Sequence, residues 1–234
     1  MRGDLFLTAF AAACFADGEE RVVAQPAVAA KIPMLVRRRL RGAALAAVCC
    51  GLESLGAATK PVEVIFCSRH GDLHRTRRLL LAMAENRALS PLEFSLSVHN
   101  ALAGMLDLVR QERTGHTSIA AGADTFAAAL IEASARIWAD RDRATLLFYV
   151  DEQVPEELQG HTDHSLGGTI LAALLEQPRT DARPLAVFRR LPAAGAIAQE
   201  SEAEARKVLS VLEGGRPVRL ASRAGFDWVV ESTT

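Results

Sequence analysis

Between residues 30 and 150, stretches with helical spacing alternate with stretches rich in β-branched residues, and this alternation limits the chain to few architectures. In IPMLVRRRLRGAALAAVCCGLESLG, Leu35, Leu40, Ala44, Leu45, Val48 and Leu52 recur at helical spacing, Pro33 opens the run and Gly56 suits its C-cap. VEVIFCS then reads as a strand, and a second helix is expected over 73–86, with Ser90-Pro91 as its break. EFSLSVHNALAGMLDLVRQE is expected to begin extended and end helical, and TSIAAGA to be a short element. The helix DTFAAALIEASARIWAD follows, then RATLLFYVDE, the clearest strand of the chain. Helices and strands in this order predict a layered α/β fold, with helices covering a mixed sheet.

The flanks extend that pattern. LFLTAFAAACFA, residues 5 to 16, reads as an edge or core strand, because Asp4 stands where an export signal would be basic and the run is too short to span a bilayer. Residues 153–165 read as a loop. After it come GGTILAALLEQ, RPLAVFRRL, a charged helix ESEAEARKVLSVLEGG and a single closing strand in PVRLASRAGFDWVV. At 234 residues one domain, 1–234, is expected. Half of the residues are hydrophobic but only 5% are aromatic, so small side chains, alanine above all, should let helices approach the sheet closely.

Charge excludes some partners. The net charge of −1, with acids and bases interspersed, gives no face for nucleic acid. The run RRRLR reads as a solvated face before it reads as an acidic-partner patch. Cys14, Cys49, Cys50 and Cys67 lie in apolar stretches without metal-ligand spacing, which fits buried, reduced thiols in a cytoplasmic protein.

Several residues invite a chemical reading. Arg69-His70-Gly71 after a strand is similar to the histidine phosphatases, in which the imidazole takes the phosphoryl group and the guanidinium binds it. Cys67 lacks the arginine six positions on that a cysteine phosphatase loop needs, since position 73 is Leu, so a core thiol is expected. His70 with His74, and His161 with His164, lack a third ligand and read as solvated histidines. No metal and no cofactor is implied, and no nucleophile-elbow, P-loop or dinucleotide glycine pattern occurs.

Taken together, SPLEFSLSVHNALAG (90–104), TSIAAGADTFAAALIEASARI (117–137) and the strand LLFYVDE resemble the N-terminal half of β-ketoacyl synthases of the thiolase fold. The likeness covers about residues 30 to 190 and includes the signature Asn100 and Ala103-Gly104. In that family a strand turns sharply into a helix that carries the nucleophilic cysteine. The matching position here is Ala123, and no cysteine follows residue 67. The partner histidines belong to a C-terminal half for which this chain leaves no room. An unarmed half of this kind is similar to chain-length factors, in particular to a shortened type associated with aryl polyene and related pigment pathways.

The resemblance implies a subunit that forms a heterodimer with a catalytic β-ketoacyl-ACP synthase across the edge strand near that turn, and meets the acyl carrier protein only indirectly. Acyltransferase activity would then belong to the complex. It also implies that Phe94, Ser97, Val98, Asn100 and Phe126 face the acyl tunnel, with core filling as the alternative for Phe94, Val98 and Phe126. The histidine phosphatase acting through Arg69-His70-Gly71 stays as the other functional class.

Overall fold

The computed structural model describes residues 4–16, 19–22, 26–112, 115–162, 167–178, 183–193, 204–222 and 225–233. Its strands are β1 (Leu5–Ala16), β2 (Glu19–Val22), β3 (Val62–Cys67), β4 (His116–Ile119), β5 (Ala144–Asp151), β6 (Gly168–Glu176), β7 (Ala186–Pro192), β8 (Val218–Leu220) and β9 (Phe226–Ser232). They form one mixed sheet in the order β4-β3-β5-β6-β1-β7-β9-β8, with β2 paired to β1. β3 runs parallel to β4 and β5, and the other pairings are antiparallel.

Helices are α1 (Pro26–Ala29), α2 (Met34–Arg37), α3 (Ala43–Leu55), α4 (Leu73–Ala84), α5 (Pro91–Ser95), α6 (Ala101–Arg110), α7 (Thr125–Ala139) and α8 (Glu204–Leu212). Period-two alternation sorts the strand residues onto two faces. Ile65, Cys67, Leu147, Tyr149, Leu171 and Ala173 pack with α7 and α8, whereas Val64, Phe66, Leu146, Phe148, Ile170 and Ala172 pack with α3 and α6. The sheet is therefore the middle of three layers, and its central strands β5 and β6 are buried along their whole length. Small residues set the spacing, as the composition implies: a Cβ on Gly51 of α3 would lie 3.0 Å from a methyl of Leu106 on α6.

β1 is an interior strand, flanked by β6 and by β7 and β2. Leu5 and Leu7 face one core and Ala11 and Ala13 the other, although all four positions are odd. A bulge reconciles them: Leu7 pairs with Leu175 and Ala9 with Leu174, so Thr8 has no partner of its own. Among the described residues no helix is long and apolar enough to cross a membrane.

Three expectations about elements are corrected. The helix read across 33–56 is two, because Gly42 takes φ 51° and ψ −128°, a conformation open to glycine, and starts α3 afresh. Residues 91–95 are helical, not extended. Pro91 occupies the first turn and Ser90 Oγ accepts from Glu93 N at 3.3 Å, so the presumed break is a helix start. The single closing strand is the antiparallel pair β8 and β9, folded back on itself.

Candidate functional site

The turn from β4 into α7 is the place where sequence reasoning puts a missing nucleophile. After Ile119 the chain passes Ala120 and Ala121 into a 3-10 turn, Gly122–Asp124, with Gly122 at φ 57°. Ala123 is exposed on this turn. Thr125, the first residue of α7, is buried, and its hydroxyl is occupied: Oγ1 accepts from Ala121 N at 2.9 Å and donates to the Gly122 carbonyl at 2.7 Å. One free amide of the first turn of α7 is taken from another element, as Ala127 N donates to Glu204 Oε2 of α8 at 3.1 Å. Burial raises the Glu204 carboxyl to about 7; the Ala127 amide opposes the shift and Asp124 adds to it. At the position of the expected nucleophile the turn thus carries the methyl group of Ala123, beside a Thr125 hydroxyl already engaged with the backbone.

At the ends of β3 and β5 the Arg-His-Gly stretch has a structural partner. Asp151, 3% exposed, accepts from Ser68 Oγ at 3.0 Å, from Arg69 N at 2.8 Å, from Arg69 Nε and from the Tyr149 hydroxyl. Ser68 Oγ accepts in turn from Gly71 N at 2.8 Å, and the Ser68 carbonyl accepts from His99 Nε2 at 2.9 Å. Gly71, at φ 64°, makes the turn possible. Burial, and then the Asp151 charge, pushes the Tyr149 hydroxyl and the Cys67 thiol well above their ordinary values. Arg69 thus neutralises a buried carboxylate instead of holding a phosphate, and the histidine-phosphatase alternative finds no support. His70 is exposed and lies before α4, not on it, and Cys67 is a core thiol, fully buried. His74 Nε2 donates to the Gln153 carbonyl at 2.8 Å, His161 ends a 3-10 turn, and His164 lies outside the described residues.

The five residues assigned to a tunnel do not form one cluster. Phe126 is 2% exposed in the core beneath α7, edge-on to Tyr149 at 5.7 Å. Phe94 on α5 and Val98, between α5 and α6, are 61% and 49% exposed on the opposite side of the sheet. Ser97 Oγ donates to the Phe94 carbonyl at 2.8 Å. Asn100 Nδ2 donates to His116 Nε2 at 3.1 Å, and His116 Nδ1 donates to Asp107 Oδ2 at 2.8 Å, which ties α6 to the edge strand β4. Other exposed apolar side chains on these elements are Leu80, Leu81 and Met83 on α4, Leu89 in the connection and Leu92 on α5. The buried residues of α4 are Arg75 and Ala82, and α5 has none. Helices with so much apolar surface uncovered have the character of a contact surface.

Sequence reasoning missed Asp151, Glu152 and Glu204. The signal for the first two was present, since VDE places two acids where an otherwise apolar strand ends; Glu204 needed the packing of α8 on α7.

Residues 15–218 match the family described as beta-ketoacyl synthase, N-terminal domain. No curated protein sequence matches the chain. Among solved structures, it superposes on a chain of the ketosynthase ApeO in complex with its chain length factor ApeC from Xenorhabdus doucetiae, with a TM-score of 0.74 at 23% identity, covering 97% of this chain and 98% of that one. The ishigamide ketosynthase/chain length factor matches with a TM-score of 0.57 at 15% identity over 82% of this chain and 68% of that one. A chain of AntDE:AntF, a type II PKS acyl-carrier protein in complex with its ketosynthase, gives 0.55 at 14% identity over 82% and 70%. The architecture is that of the thiolase-like ketosynthases.

Proposed function

Because the chain belongs to the family of β-ketoacyl synthase N-terminal domains, we propose that it is a non-catalytic, chain-length-factor-like subunit that pairs with an active β-ketoacyl-ACP synthase and helps wall its acyl tunnel. The observation that carries this reading is the turn at Ala123, where the methyl group leaves an acyl thioester nothing to exchange with. The partner is supported by the open edge of β4 and by the uncovered apolar side chains of α4 and α5. It is supported also by the likeness, over nearly the full length of both chains, to a chain in a ketosynthase and chain length factor complex. A polyene or related polyketide is the product class proposed with it, in keeping with the likeness to a chain of a type II PKS complex.

Co-expression with the ketosynthase of its own cluster tests the proposal. A stable heterodimer is expected, with acyl label from a carrier-protein thioester on the partner's cysteine alone; covalent label on this chain would sink the reading. Within the assembled complex, Phe94→Ala should change the length of the product. Unchanged products from a fully assembled Phe94→Ala complex would remove the tunnel role of Phe94 and leave the subunit a scaffold.

A further inference from the structure

Helices α4 and α5 form an arm that is held at its root by charge rather than by a core. Asp72 caps α4, with Oδ1 accepting from Arg75 N at 2.7 Å and Oδ2 from Arg75 Nε at 2.9 Å. Arg75 Nη1 donates to Glu93 Oε1 at 2.6 Å, and Arg78 Nη2 to Glu93 Oε2 at 2.9 Å, which joins α4 to α5. Glu152, the first residue after β5, faces this root from the body of the molecule and lines one cavity with Arg39, Asp72, Arg75, Leu96 and His99.

Two guanidinium groups therefore serve three carboxyls, and their hydrogen bonds go to Asp72 and Glu93. Glu152 has no hydrogen bond or ion pair among the described residues. The other charged or titratable groups at the cavity do not relieve it. Arg39 is exposed at the rim, without a carboxylate partner among the described residues, and His99 is committed to the Ser68 carbonyl. Asp151 is turned to Arg69, and His74 to the Gln153 carbonyl.

We propose that Glu152 is a protonation switch at the root of the arm: neutral, it lets α4 and α5 seat on the sheet, and ionised it loosens them. Burial, reinforced by the charge of Asp72 and opposed by Arg75 and Arg78, raises this carboxyl from 4.5 to about 7, so the switch works near neutral pH. The sign follows from that direction. Seating favours the protonated form, is strongest below 4.5 and is lost as pH rises through about 7. The consequence for assembly rests on the partner-subunit reading above: the apolar side chains offered to the ketosynthase sit on this arm, so the heterodimer should form more tightly at pH 6 than at pH 8.

Hydrogen exchange on the full-length chain alone tests the switch without the partner. Protection factors of the α4 amides, corrected for the intrinsic rate at each pH, should fall by up to about tenfold between pH 6 and pH 8. In Glu152→Gln, which keeps the shape and cannot ionise, they should stay level and high. Flat protection in the parent chain, or the same fall in Glu152→Gln, overturns the switch. Titrating the ketosynthase against both chains at the two pH values then reads assembly. No binding at any pH would remove the partner reading and leave the exchange result standing, whereas binding with equal pH dependence in both chains would count against Glu152 as its cause.

Discussion

Asp151 is one carboxylate with four donors on it, three of them from Ser68 and Arg69 at the end of the neighbouring parallel strand. Asp151→Ala would leave Arg69, whose side chain is 10% exposed, without its counter-charge; breaking a buried pair in this way costs about 3–5 kcal/mol. Urea denaturation of the two chains should show that loss. Glu204 makes a second prediction. Its carboxyl is raised from 4.5 to about 7 in the fold, chiefly by burial, so folding favours the protonated form. Its contribution is fully present below 4.5 and is lost as pH rises through about 7, by a few kcal/mol at most at about 1.4 kcal/mol per pKa unit. Glu204→Gln, which can still accept from Ala127 N, should flatten that decline and be the more stable chain at pH 8 in thermal melts. Asp151 was legible only as an acid at the end of an apolar strand, and Glu204 not at all. Arg69-His70-Gly71 drew attention as a local triplet, whereas its partner lies 82 residues away and is joined to it only by strand pairing.

At the scale of elements, the close contact of α3 with α6 is sharply testable. Gly51→Ala would set a Cβ 3.0 and 3.1 Å from the two methyls of Leu106, which is fully buried. Overpacking of this kind costs about 1–3 kcal/mol, against about 1 kcal/mol returned by the better helix former. A lower melting temperature is expected, with Leu106→Val restoring part of it in the double variant. The helices and strands themselves were largely legible, because their apolar spacing is a local property. Two of the three errors fell where one or two residues decide: Gly42, whose conformation only the backbone reveals, and Ser90-Pro91, which starts a helix where a break was expected. Phe94 and Phe126 show the same limit, since both are apolar and helical yet one is core and the other surface.

The whole molecule carries an unbalanced surface. Leu80, Met83, Leu92 and Phe94 are each between 45% and 61% exposed, on helices that bury almost nothing in their own chain. Leu80→Glu combined with Met83→Glu should therefore leave the denaturation midpoint nearly unchanged, within about 0.5 kcal/mol, while lowering light scattering from concentrated samples. A large loss of stability would mean that α4 is held by its apolar face after all. Strand order was the part of the architecture hidden from the sequence. The first strand lies deep in the sheet, between partners from the far end of the chain, and hydropathy carries no address for such long-range pairing.

That interior strand holds one more consequence. With Thr8 outside the pairing, β1 is two half-strands set out of phase: odd positions face the α7/α8 side before Thr8 and even positions face it after. The strand carries a spare letter in its reading frame. A chain lacking Thr8 would join Leu7 to Ala9 in unbroken alternation and keep every inward side chain where it is. It should fold, at the loss of the Thr8 hydroxyl contacts to the Leu174 carbonyl and Glu176. Circular dichroism and a melting curve on that deletion would show a single-residue loss in the middle of a buried sheet being absorbed.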